Sequence, residues 1–305
     1  MILSYQKVEI LSQQPGEVGM KKHIERAART CYKSEDKTTD DSYERIFKML
    51  CDNEHLAALE HGTVYLFAPI DCSTFELISF YQHNSYSRVA LSDTYAYITT
   101  NYRVIHENKR YTDLYFRVDK PLEFHEKRVT VKFIADISVT REANRHRVNS
   151  MCEESTIYCN YSRDKFGGEI SVSVPVWLTS ADISKAADTI CPIASVIGGP
   201  TMQDVALGLV NGRYEDWGPV ETWLAANTMA EFFYMQLIKK GWTAKQARTI
   251  LPLDIKSELI HTAFVDDWQH FFKLRCAEAH PQIKDLAIKL RNIFIENKLI
   301  KPIND

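Results

Sequence analysis

The strand-like and helix-like runs of this chain are segregated, and that segregation most constrains its fold. Alternating or β-rich runs lie before residue 178, and from Pro219 onward the pattern is helical. The clearest strand spans Arg128 to Ile137, where Val129, Val131, Phe133 and Ala135 alternate with Thr130, Lys132 and Ile134. Ser4 to Leu11, Thr63 to Phe67 (ended by Pro69), Ala96 to Ile105 and Ile170 to Trp177 read as further strands. Apolar spacing over Val18 to Tyr32 puts Met20, Ile24, Ala27, Ala28 and Cys31 on one helical face. Asp40 or Asp41 can cap a helix to about Leu50, Ser73 one through Phe80, and Ser138 a short one leading into Arg145. Leu178 to Gly218 reads as an insertion with one weak helix near Ile183 to Ala187. Later helices are expected over Val220 to Lys240, from Thr243, over Ser257 to Arg275, and from Pro281 to Asn297. Strands first and helices last predict an α+β fold: a mixed or antiparallel sheet flanked by helices, with a helical C-terminal third.

A chain of 305 residues is long for one compact domain, so one domain with insertions, or two, is expected. Its net charge of −3 argues against a surface for a nucleic-acid polymer but leaves room for a local basic pocket. The N-terminus reads as a strand and not a signal peptide, and no run approaches the ~20 apolar residues of a membrane span. A cytoplasmic protein is therefore expected. The seven cysteines form no CxxC pair or zinc spacing, so reduced thiols and no metal site are expected. No P-loop, GxGxxG or GxSxG motif occurs.

The segment from Arg145 to Tyr158 is poorly suited to a dry core. It places Arg145, His146 and Arg147 before Glu153, Glu154, Ser155 and Thr156. Arginine forks match phosphate and carboxylate. An isolated Arg-His-Arg is more often a solvated corner; the acids and hydroxyls that follow favour a site. His61 precedes a strand, where a lone histidine is commonly structural. Arg248 lies among apolar residues before Pro252 and must find an anion or solvent. Phe264, Trp268, Phe271 and Arg275 are spaced 4, 3 and 4, so in a helix they share one face, and Arg275 ends an aromatic stripe. His270 follows Asp266 by four residues and can pair with it.

Four blocks in order resemble the flavin-dependent thymidylate synthases. They are Ala27-Ala28-Arg29-Thr30-Cys31-Tyr32, Glu60-His61, the segment 145–158, and Ala247 to about Gln282 with Leu251-Pro252-Leu253 and Phe271-Phe272-Lys273-Leu274-Arg275. The family signature reads Arg-His-Arg, two residues, Ser, one residue, Asn-Glu, one residue, Ser, one residue, Arg-Tyr. The resemblance implies reductive methylation of dUMP to dTMP, with FAD, NADPH and methylenetetrahydrofolate, in a homotetramer with shared sites. Arg145, Ser155 and Arg248 would hold dUMP, with Glu142, Glu153, Glu154 and Thr156 beside it. Arg275 would stabilise negative charge on the pyrimidine. His61, Thr63, Arg145, His146, Arg147, Glu153 and His270 would line the flavin and folate side, and Arg275, His61 and Ser155 would be the catalytic set. No protein nucleophile is implied. The stretches 84–126 and 165–215 would be insertions in a single catalytic domain.

The chain departs from the family at several positions. Ile157 stands where the signature has its later Arg, with Arg163 or Lys165 as possible substitutes, and Cys152 stands for Asn. Glu142 stands where many members carry Gln near the phosphate, which a carboxylate would repel. Phe264 and Asp266 replace an Asn and an Arg that contact flavin in some members. These changes keep two alternatives open: a member that binds flavin or nucleotide without making dTMP, and a methylase of another pyrimidine nucleotide.

Overall fold

The computed structural model describes residues 1–157, 159–163, 167–191 and 200–302. Its first strands and helices are β1 (Ile2–Ser4), β2 (Lys7–Leu11), α1 (Gly16–Tyr32), α2 (Ser42–Asp52), α3 (Leu56–Leu59), β3 (Thr63–Pro69) and α4 (Phe75–His83). Then come β4 (Arg88–Leu91), β5 (Tyr95–Asn101), α5 (Tyr102–Glu107), β6 (Arg117–Val118), β7 (Arg128–Asp136), α6 (Ile137–Ala143), β8 (Ser150–Glu153) and β9 (Ser171–Ser173). The remainder is α7 (Ser180–Ile190), α8 (Met202–Val210), α9 (Pro219–Lys239), α10 (Ala244–Ala247), β10 (Lys256–Phe264), α11 (Val265–Arg275) and α12 (Pro281–Glu296). The class is α+β, as the segregated patterns predict. No helix among the described residues is long and apolar enough to cross a membrane.

The chain forms two compact units. The first comprises Met1–Lys7, Ile134–Arg141 and Ser155–Ser257; the second comprises Val8–Phe133, Glu142–Glu154 and Glu258–Asp305. In the second unit one sheet runs β2-β7-β10-β8 and another β4-β5-β3-β6. β10 and β8 are antiparallel, with Leu259 opposite Glu153 and His261 opposite Met151. The polar stretch 84–126 supplies β4, β5 and β6, and β3 pairs antiparallel with both β5 and β6. Met20, Ile24, Ala27 and Ala28 of α1 are buried with Leu50, Leu59, Leu66 and Ile98 in one core. Each such large side chain contributes about 1.5–3 kcal/mol of burial.

In the first unit β1 pairs in parallel with β9. One apolar cluster gathers Tyr161, Ile170, Val172, Tyr234 and Ile255. Another gathers Val174, Ile183, Ala186, Val205 and Leu224. Thr179 with Asp182 starts α7, and Thr201 with Asp204 starts α8, each as a reciprocal capping box.

Several expected elements are corrected. Ser4 to Leu11 is two strands, because β1 joins β9 while β2 joins β7. The expected strand to Ile105 stops at Asn101, whose side chain accepts a hydrogen bond from Val104 N and starts α5. Asp136, not Ser138, caps α6: its carboxylate accepts from Val139 N at 2.8 Å. The stretch near residue 183 belongs to a full helix, and α8 follows it. Most consequentially, Ser257 to Phe264 is strand β10. Every residue from Ser257 to Phe264 is buried, so the run lacks the alternation that marks a half-exposed strand.

Candidate active site

The second unit brings much of the expected site together. A turn built on Arg145 N–Glu142 O, His146 N–Ala143 O and Asn149 N–His146 O leads into β8. β8 lies beside β10, and β10 feeds directly into α11. The Arg-His-Arg turn and α11 therefore line one cavity of about 580 Å3, whose walls include Arg145, His146, Arg147, Asn149, His270 and Arg275. Arg145, Arg147 and His270 are exposed, whereas His146 and Asn149 are buried.

Arg275 is fixed from three directions. Its Nε donates to His146 Nε2 at 3.3 Å, Nη1 to the Glu142 carboxylate at 3.0 Å, and Nη2 to the Glu142 carbonyl at 2.8 Å. Three of its five N–H donors are thus engaged. Burial lowers its pKa, Glu142 raises it and Arg145 lowers it further, with a net fall. His146 must accept at Nε2, so it is the neutral tautomer protonated at Nδ1. Burial first, then Arg275 and His270, pull its pKa down to about 4. Its ring lies 6.0 Å from that of His270 and 5.0 Å from that of Phe271. His270 therefore faces His146 and not the expected Asp266. Trp268, Phe271 and Arg275 share a face of α11 as expected, but Phe264 ends β10 and is not part of that stripe. Glu142 meets a cation here, where the sequence pattern suggested repulsion of a phosphate.

His61 and Thr63 lie outside that cavity's lining. His61 is fully enclosed, and Gly62 after it permits the close approach of α1, since a Cβ there would lie 2.5 Å from Ile24 Cδ1. His61 Nδ1 is hydrogen-bonded to Thr262 at 2.8 Å, Thr262 to Thr130 at 2.7 Å, and Thr130 to His23 at 2.9 Å. His61 Nε2 is buried without a hydrogen-bond partner. Burial, then His23, Arg128 and His261, hold the His61 pKa well below its ordinary value. Thr63 lines a separate cavity of about 340 Å3 with Gln13 and Arg128, and Arg128 Nη1 donates to its hydroxyl at 3.2 Å.

The two glutamates diverge. Glu153 accepts from Asn144 Nδ2 at 3.1 Å. Glu154 is buried 3.5 Å from Lys33 Nζ; Lys33 also pairs with Glu258, which pairs with Lys132 at 2.6 Å. Burial alone would lower the Lys33 pKa, but Glu154 and Glu258 outweigh it and raise it. The remaining site residues belong to the first unit. There Arg248 Nη1 donates to Thr156 at 3.0 Å, and Ser155 Oγ accepts from Ile157 N at 3.3 Å. Ile157 is exposed, and Tyr158 and Lys165 lie outside the described residues.

Sequence reasoning missed Asn149, His23, His261, Arg128 and the Lys33–Glu258–Lys132 cluster. Thr130 and Lys132 carried the available signal, as the polar partners in the β7 alternation. That alternation reads as a wet face, whereas Thr130 is buried against His23 of α1. Asn149 Nδ2 donates to buried His261 Nε2 at 2.8 Å, leaving Asn149 Oδ1 unpartnered.

Comparison with known proteins bears on this arrangement. A flavin-dependent thymidylate synthase of Pyrococcus abyssi is 30% identical over 84 residues, 27% of this chain and 34% of that protein. One of Synechocystis is 32% identical over 65 residues, 21% of this chain and 30% of that protein. One of Pyrococcus furiosus is 33% identical over 91 residues, 30% of this chain and 35% of that protein. The matched segment thus spans about a third of these relatives' length. The crystal structure of a UMP/dUMP methylase, PolB, from Streptomyces cacaoi aligns at a TM-score of 0.39 and 17% identity, covering 97% of this chain and 93% of that one. The profile of the Thy1 family, described as thymidylate synthase complementing protein, matches residues 116–297, more than half of the chain and the stretch that carries the Arg-His-Arg turn, β10 and α11, and the chain belongs to that family.

Proposed function

We propose that the chain is a flavin-dependent thymidylate synthase. It would methylate dUMP to dTMP with methylenetetrahydrofolate as carbon donor, and FAD reduced by NADPH as hydride source. The observation that carries this reading is the cavity lined by Arg145, His146, Arg147, His270 and Arg275, in a chain of this family. Its donors fit a phosphate-bearing cofactor and a nucleotide. Arg145 and Arg147 are exposed at the cavity and form no ion pair among the described residues. Buried Asn149 is held by its Nδ2 on His261 Nε2. Flavin, when bound, supplies the hydride; the protein supplies orientation and electrostatics.

In this reading Arg145 and Arg147 hold anionic groups. Arg275, with two N–H donors uncommitted, stabilises negative charge on the pyrimidine. Neutral His146 positions Arg275 by accepting from its Nε. His61 is sealed from ligand in this chain, so it would act through Thr262 as a positioning residue, and Thr63 would line the flavin side. In the first unit, Arg248 oriented by Thr156 suits a phosphate oxygen, with Ser155 nearby in sequence. We place the enzyme in the cytoplasm as a homotetramer, on the family resemblance.

The full chain should bind FAD with a visible flavin spectrum, oxidise NADPH faster when dUMP is added, and yield dTMP only with methylenetetrahydrofolate present. Sedimentation should give four copies. Failure to bind flavin at saturating concentration rejects the enzyme. One observation favours a second reading, binding without turnover: Glu142 already occupies Arg275. Flavin and dUMP binding with no methylated product would support it. Product analysis with competing pyrimidine nucleotides tests the substrate.

A further inference from the structure

Behind α11, on the side away from Arg275, the second unit holds a larger cavity of about 950 Å3, bounded by α11, α12 and residues 299–302. Small-molecule sites typically occupy about 300–1,000 Å3. Phe272, Cys276, Leu299, Ile300 and Pro302 give it an apolar wall. Lys273, Arg291 and Lys301 also line it, and no Asp or Glu does. None of these three cations makes an ion pair among the described residues. Arg291 Nε is sealed from water and has no hydrogen-bond partner. No carboxylate among the described residues answers this guanidinium, and an anion presented to its terminal nitrogens would.

We propose that this cavity binds a small ring-bearing anion, an aromatic carboxylate or phosphate, with its ring against Phe272, Ile300 and Pro302 and its anionic group on Arg291, flanked by Lys273 and Lys301. A bare inorganic anion leaves the apolar wall unfilled, and a neutral ring leaves Arg291 unanswered. The site is separate from the Arg145–Arg275 cavity; His270 borders both, so a ligand here sits next to the proposed nucleotide site. The assignment does not depend on thymidylate synthesis.

The probe is 8-anilinonaphthalene-1-sulfonate, an aromatic anion that fluoresces when its ring is dry, titrated into the full chain. Saturable binding is expected. Arg291→Met, which keeps length and apolar volume, should weaken it at least tenfold. Arg291→Lys should recover most of the loss, and Arg145→Met should change it less than twofold. Benzoate and phenyl phosphate should displace the probe, their relative potency identifying the anionic group, while inorganic phosphate should not. Circular dichroism confirms folding; if Arg291→Met does not fold, the Lys273→Met/Lys301→Met pair should show the same weakening. Equal affinity in wild type and Arg291→Met, equal loss in Arg145→Met, or no saturable binding overturns the proposal.

Discussion

Arg275 is already engaged by the protein before any ligand arrives. Its guanidinium leans on Glu142 and His146, which fix its plane and leave two N–H groups for a ligand. If those groups meet charge that develops on the pyrimidine, Arg275→Ala should lower the rate of dTMP formation about 10²-fold or more, the scale of losing one oxyanion donor. An unchanged turnover rate rejects that role. Glu142→Gln keeps an acceptor for Nη1 and removes the negative charge. Nucleotide affinity, read by calorimetry, should then tighten by roughly 3–10-fold, modest because Glu142 is partly solvated and the charge partly screened. Weaker binding in Glu142→Gln would mean that the carboxylate itself contacts the ligand. Arg275 was legible in the sequence because an arginine closing an aromatic stripe is unusual. Its pairing with Glu142 was not, since 133 residues separate them and β8, β10 and α11 bring them together.

At the scale of elements, four histidines from different strands, helices and turns lie in dry surroundings. His23 on α1, His61 before β3, and His261 on β10 are buried, as is His146 in the turn. Burial brings His23 and His146 to about 4, His261 to about 3, and His61 well below its usual value. Unfolded, each titrates near 6.5. Below that pH the unfolded chain binds protons that the folded chain refuses, so their contribution is intact above about pH 6.5 and is lost as pH falls toward 4. The slope is up to about 1.4 kcal/mol per pH unit for each histidine. Urea midpoints should therefore fall between pH 7 and 5, a window above ordinary carboxylate titration. His261→Gln should flatten that fall. Midpoints that stay level across the window would show that these rings are not kept neutral by burial. Little in the amino-acid pattern warns of this. His261 sits in a run whose residues are buried on both faces, and with no alternation the run reads equally as helix. The strands β3 and β7, each with a clear pattern or a proline stop, were legible almost to the residue.

At the scale of the whole molecule, net charge and local charge point in opposite directions. The chain carries 37 basic and 40 acidic side chains, a net −3, and yet cations outnumber acids at both cavities beside α11: Arg145, Arg147 and Arg275 against Asp267 and Glu278 at one, and Lys273, Arg291 and Lys301 with no acid at the other. Other acids lie in pairs such as Glu258 with Lys33 and Lys132, and Glu76 and Asp113 with Arg110. Total charge argues against a nucleic-acid surface from sequence alone, but it cannot locate a basic pocket, because that depends on which cations remain unpaired after folding. Nor could the sequence show that its expected site residues divide between two compact units. The boundary falls within the signature, between Glu154 and Ser155. The placement of charge has a measurable consequence. Exposed Arg145 and Arg147 feel bulk ions, and screening acts over about 10 Å at 0.1 M salt and about 3 Å at 1 M. A dianionic nucleotide held by them should lose several-fold in affinity between 0.05 and 0.5 M NaCl, as read by calorimetry on the full chain, despite the protein's overall negative charge. Arg145→Met should both weaken binding and reduce the salt dependence, because one screened contact is gone. A salt-independent Kd, or an Arg145→Met variant with the wild-type salt response, would remove the Arg-His-Arg turn as the anion contact and leave Arg275 alone to account for nucleotide binding in the second unit.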